Sequence, residues 1–195
     1  MDEGNRSRAL SLLKEHVTTE SLLKHAYAVE AAMRQMARHF HQDEEFWGVT
    51  GLLHDLDYQE YPEEHCRHVE AMLRDTGYGD EIVRAILSHG YGLCTDVEPK
   101  TEMEKSLYAV DELTGLITAV VLMRPSKSIL DLTVKSVKKK WKGKTFAAGC
   151  NREVIQDGAD RLEMPWETLV QLVIEGMQAQ AKELGLEGAL GGQNA

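Results

Sequence analysis

Apolar residues recur along the chain at intervals of three and four, the period of helix faces rather than of strands. In "ESLLKHAYAVEAAMRQMARHF" the stripe is Leu22, Ala26, Val29, Met33 and Met36. "DEEFWGVTGLLHDLDY" opens with acids that suit a positive helix N-terminus and carries Phe46, Val49 and Leu53 along one side. The stretch from Pro62 to Gly77 predicts another helix, with proline in its first turn and glycine as its stop. Asp80 to Gly90 repeats that arrangement in miniature. "TEMEKSLYAVDELTGLITAVVLM" sets Thr101 and Glu104 at capping-box spacing and stays apolar until Arg124-Pro125. A basic helix around Leu130 to Trp141 follows, then a segment from Asn151 to Leu162 and a last helix from Pro165 that ends by Gly185. Alternating runs of strand type are absent. The pattern predicts an all-α fold, a compact bundle of roughly six to nine helices.

No linker rich in Pro, Gly or Ser divides the chain, and its 195 residues suit one domain or one domain with an appendage. A soft boundary at Met123 to Lys127 sets a helical core, residues 1–123, against a C-terminal helical extension, 124–185, packed on it. Residues 186–195 read as a flexible tail.

Charge changes the picture of possible partners. The formal net charge of -10 argues against a general nucleic-acid binder. Lys135, Lys138, Lys139, Lys140, Lys142 and Lys144 nevertheless gather in one stretch, either a solvated helix face or a cationic rim for a phosphorylated ligand. No apolar run is long enough to span a bilayer, and the charged N-terminus lacks the apolar core of a secretory signal. The three cysteines, Cys66, Cys94 and Cys150, form no CxxC and no even framework. They read as small buried hydrophobes in a reduced, cytoplasmic setting.

The chemistry lies in the polar residues that interrupt the apolar stripes. His25 falls in line with Leu22 and Val29, and Asp111 with Leu107 and Thr114 inside the most hydrophobic helix. His89 follows Ile82 and Ile86, and His65 precedes Val69 and Met72. His54-Asp55 ends a helix whose earlier turns are apolar. Buried separately, these four imidazoles and two carboxylates would each need its own partners. One divalent cation, or two, compensates them together. Mixed imidazole and carboxylate donors without thiolates suit Mn²⁺, Fe²⁺, Zn²⁺, Ni²⁺ or Co²⁺ rather than a structural zinc cage, and the residues do not separate these or Mg²⁺. His54 and Asp55 point about 100° apart on a helix, so both reach one ion only if it sits off the helix end.

The order His25, His54-Asp55, Asp111 on successive helices resembles the H…HD…D signature of the HD-domain superfamily of metal-dependent phosphohydrolases. "FWGVTGLLHDLDYQEYP", "AILSHGYG" and "EKSLYAVDELTGLITAVVLMRPSKSI" are similar to a branch of small stand-alone proteins, described as predicted HD-superfamily hydrolases. The resemblance implies an HD-like helical bundle that holds one metal through His25, His54, Asp55 and Asp111. By analogy with other branches, His65 and His89 complete a second metal or substrate site, with His68 as the competitor of His65. His16, His39 and His41 stand outside the pattern as surface residues.

The implied reaction is cleavage of a phosphate ester of a small metabolite or nucleotide by a metal-activated water. Asp57 is the nearest acid after the HD pair and the candidate catalytic carboxylate. Arg124 and Lys127 are candidates to neutralise substrate phosphate. Two rivals accompany this reading: an HD-type di-iron oxygenase, and a non-catalytic module that binds a metal or ligand. Oligomeric state is not legible.

Overall fold

The computed structural model of the protein describes residues 5–143 and 145–190. Lys144, the last lysine of the basic stretch, and residues 191–195 of the expected tail lie outside them. The elements are α1 (Arg6–His16), α2 (Glu20–Phe40), α3 (Glu44–Leu53), α4 (Val69–Asp75), α5 (Asp80–His89), α6 (Glu102–Leu122), α7 (Val134–Trp141), α8 (Arg152–Arg161) and α9 (Trp166–Ala179). Short 3₁₀ turns occupy Pro62–Glu64 and Gly188–Leu190. The described residues contain no strand, only one isolated bridge between Tyr91 and Thr95. The all-α expectation holds.

Two long helices organise the rest. α2 buries Val29, Ala32, Met33 and Met36, the stripe legible in its sequence, against α3 on one side and α9 on another. α6 buries Leu107, Val110, Leu113 and Ile117 between α2, α5 and α8. Asp43 caps α3 by accepting the N–H groups of Glu45 and Phe46, and the capping box of Thr101 and Glu104 opens α6.

Close approach depends on glycine at two of these contacts. A Cβ at Gly51 would meet the Val29 carbonyl oxygen at 2.9 Å, so only glycine lets the last turn of α3 settle on α2. A Cβ at Gly158 would lie 2.5 Å from the Ala109 Cβ, and this contact seats α8 on α6.

The stretch from Pro62 to Gly77 departs from expectation. It is not one helix: a 3₁₀ turn gives way to a kinked segment, with Cys66 at φ 68°, before α4 begins at Val69. The cause is distant in sequence. The Asp57 carboxylate accepts the N–H groups of His68 and Val69, so a side chain from the preceding loop starts the helix. The basic helix likewise begins at Val134 rather than near Leu130, because the Thr133 hydroxyl accepts the Ser136 N–H. Residues 186–190 are tied down rather than loose. Leu186 is buried, its carbonyl accepts the Ile129 N–H, and the Ala189 N–H donates to Ser126.

Replacing Gly158 by Val forces the Ala109 contact apart. Unfolding in denaturant will show a loss of about 1–3 kcal/mol at an unchanged m-value.

Candidate metal centre

The sequence brings the interrupting polar residues to one place by ending helices there. His25 lies in the second turn of α2, His54 and Asp55 follow the last turn of α3, His89 ends α5, and Asp111 sits in the middle of α6. His65 comes from the kinked segment before α4. His54 and His89 are buried; Asp55 and His65 keep part of their surface toward an open cleft of about 490 Å³.

The donors form two groups joined at Asp55. On one side, His25 Nε2 lies 2.9 Å from Asp111 Oδ1 and 3.6 Å from Asp55 Oδ2. His54 Nε2 lies 3.4 Å from each of these oxygens and 3.2 Å from His25 Nε2. On the other side, Asp55 Oδ1 faces His65 Nε2 at 3.3 Å and His89 Nε2 at 3.6 Å, and these nitrogens are 3.1 Å apart. Metal–donor bonds of about 2.0–2.1 Å place neighbouring donors about 3.0–3.4 Å from one another, and the observed separations of 2.9 to 3.6 Å lie around that spacing.

Hydrogen bonds on the far side of each ring identify the free nitrogen. His54 Nδ1 donates to the Gly51 carbonyl at 2.8 Å, and His89 Nδ1 donates to the Ile86 carbonyl. His65 Nδ1 donates to Asp57 Oδ1 at 2.8 Å. A carbonyl or carboxylate only accepts, so each of these rings carries its proton on Nδ1 and turns Nε2 inward. Inward-facing lone pairs and carboxylate oxygens at these distances repel unless positive charge stands among them. Added protons supply some of it; divalent cations supply more, and the mixed donor set suits them. His25, His54, Asp55 and Asp111 would hold one ion, and His65, His89 and Asp55 a second.

Without a metal the charge balance must come from protons. Burial lowers the tendency of His54 to protonate, but the Asp55 and Asp111 carboxylates outweigh it and hold His54 well above the ordinary imidazole range. Burial and Asp55 oppose each other at His89 in the same way, and the net shift is again upward. Burial opposes ionisation of Asp55 and Asp111, yet the histidines around them pull both carboxylates below their usual range.

Other candidates take different places. Asp57 is fully buried behind His65, with its oxygens used by that ring and by the His68 and Val69 N–H groups. It orients the His65 ring and is not among the residues that line the cleft, so the structure gives the expected catalytic carboxylate a positioning place instead. His68 pairs with Glu64 and stacks on Tyr61, whereas His65 Nε2 faces Asp55, so His65 is the one brought in. Arg124 is bound to Asp131 and Ser136, and exposed Lys127 follows it in the turn after α6. Neither is among the residues that line the cleft, so the expected phosphate-binding pair is not assembled there. Lys138 pairs with Glu167, while Lys139 and Lys140 border a separate shallow depression beside Arg124.

Sequence reasoning missed the walls. Glu112, Tyr58, Leu93, Cys94 and Val154 line the cleft, and only the adjacency of Glu112 to Asp111 was a sequence-level signal. Burial raises the Glu112 carboxyl, the Asn151 N–H opposes that rise, and the Asp111 charge adds to it. The wall carrying Cys150 is shaped by Arg152, whose guanidinium donates to the carbonyls of Trp141, Gly143, Phe146, Ala147 and Cys150.

Replacing Asp55 by Asn will abolish binding of both ions in metal analysis of the purified protein. Replacing His89 by Ala will remove one and spare the other. Because the histidine protons must leave before a cation enters, and His54 and His89 hold theirs above the ordinary imidazole range, apparent metal affinity will rise as pH increases through and beyond that range, by about tenfold per unit for each proton displaced. Calorimetry in buffers of different ionisation enthalpy will detect the released protons.

Among the described residues no helix is long and apolar enough to cross a membrane. No curated protein and no solved structure gives a significant match to the chain. The family model of the HD domain matches residues 22–116, the span that supplies every donor from His25 to Asp111. That segment matches the HD domain, a family whose members bind divalent metals and are mostly metal-dependent phosphohydrolases.

Proposed function

We propose that the protein is a hydrolase that cleaves a phosphate ester of a small metabolite or nucleotide with the help of divalent cations, which His25, His54, Asp55 and Asp111 on one side and His65, His89 and Asp55 on the other would hold. The observation that carries this reading is the division of Asp55 between two donor groups, with Oδ2 toward His25 and His54 and Oδ1 toward His65 and His89, beside an open cleft. When bound, such ions lower the pKa of water and neutralise charge on a phosphoryl group.

The chain's own residues do the rest. The Gly51 and Ile86 carbonyls and the Asp57 carboxylate fix the ring orientations, so the donor set is preorganised before substrate arrives. Tyr58, Leu93 and Val154 offer an apolar surface for the part of the ester that carries no phosphate. The charged side chains that line the cleft, histidines apart, are Asp55, Asp111 and Glu112, and none is a lysine or arginine among the described residues. Attraction for phosphate therefore rests on the cations. This favours a singly phosphorylated substrate over a polyphosphate, whose extra charge would face carboxylates. A cleft of about 490 Å³ fits a molecule of metabolite size.

The same donors suit iron, so an oxygenase remains the second reading, supported by four imidazoles and two carboxylates with no thiolate in the donor set. Protein loaded with Mn²⁺ and offered p-nitrophenyl phosphate and nucleoside monophosphates will release inorganic phosphate. Chelation or Asp55→Asn will abolish that release. Absence of phosphate release, with iron retained on purification and oxygen consumed, would replace the hydrolase by the oxygenase.

A further inference from the structure

Two of the three cysteines meet beside the second donor group. Cys66 Sγ and Cys94 Sγ lie 2.7 Å apart, although 28 positions separate them in the chain. Both are free thiols. Their positions follow from features already described. The kink that places His65 against Asp55 turns Cys66 inward at φ 68°, and the turn after α5 returns Cys94 over Gly90, whose N–H-accepting carbonyl holds the Leu93, Cys94 and Thr95 amides. The absent side chain of Gly90 makes room for both sulfurs. A Cβ there would meet Cys94 Sγ at 2.1 Å and Cys66 Sγ at 2.9 Å.

The two thiols are unequal in access. Cys94 lines the open cleft, whereas Cys66 is 4% exposed and lies behind it. Cys150, the third, stands on another wall beside Gly115. Cys66 also lies beside the second donor group, its sulfur within 4.8 Å of donor atoms of His65 and His89.

We infer that Cys66 and Cys94 form a reversible dithiol–disulfide pair in the wall of the metal cleft, closed by a small peroxide that enters through the cleft. The Cys94 sulfur attacks one peroxide oxygen, the O–O bond breaks, and water leaves, giving a sulfenic acid at Cys94. The Cys66 sulfur then attacks that sulfur, its thiol proton is lost, and the S–OH oxygen departs as a second water. In sum, two thiols and one hydrogen peroxide give one disulfide and two waters. A bond of about 2.0 Å needs only a small further approach of the sulfurs.

The bond joins the residue after His65 to the turn after His89. It fastens together the two segments that supply the second donor group, and it closes a loop that contains α4 and α5. Reduction by a dithiol reopens it. The inference does not depend on the hydrolase reading, since it concerns the thiols alone.

The test uses the full chain, purified under reductant, desalted, treated with hydrogen peroxide and then alkylated with N-ethylmaleimide. The expected product takes one alkyl group in place of three and yields a Cys66–Cys94 cross-linked peptide on digestion. Dithiothreitol restores all three alkylation sites, and Cys150→Ser leaves the cross-link intact. Oxidised protein melts roughly 5–10 °C above the reduced form, a gain absent in Cys94→Ser. Three alkylated thiols after peroxide, a cross-link to Cys150, or sulfinic acid at Cys94 without a cross-link would each overturn the inference.

Discussion

Imidazole nitrogens held face to face around a shared carboxylate set the terms for the whole molecule. Backbone carbonyls at Gly51 and Ile86 and the buried Asp57 occupy the outer nitrogens, so the inner ones turn toward Asp55 and toward each other. Such a cluster is tolerable only with positive charge among its lone pairs. Helices α2, α3, α5 and α6 each deliver at least one donor, and the packing that buries their apolar stripes also brings the donors together. Fold stability and cation binding are therefore linked through the same contacts.

Much of this was legible in the sequence because it rests on local periodicity. The stripes of α2 and α6 and the capping box at Thr101 are short-range signals, and they placed His25 and Asp111 facing inward. The grouping of His25, His54, Asp55 and Asp111 was implied by the resemblance of their order to the HD signature, since spacing alone does not join donors on different helices. The segment from Pro62 to Gly77 could not. Its proline and glycine mimic helix ends, whereas its conformation is dictated by Asp57, which borrows two amides from it across eleven or twelve residues. That long-range bond also explains why Asp57 looked catalytic: it is an acid near the HD pair, but its oxygens are used up behind His65.

Arg124 misleads for a related reason. It follows the metal-bearing helix closely in sequence, yet α6 runs eleven further residues beyond Asp111 and carries Arg124 away to Asp131. Residues on the cleft wall, such as Leu93, Cys94 and Val154, come from turns and a late helix with no shared spacing, so no pattern in the sequence could group them. The contact between Cys66 and Cys94 belongs to the same class. It depends on a kink and on the missing side chain of Gly90, and neither is visible without the fold.

Arg152 adds a consequence of another kind. One guanidinium gathers the carbonyls of the turn after α7, binding groups that every residue type possesses. The path of that turn therefore hangs on a single side chain outside it, while its own Phe146, Ala147 and Cys150 pack toward the core. Loss of that guanidinium would leave five carbonyls to find new partners at once, and the cleft wall at Cys150 would shift with them.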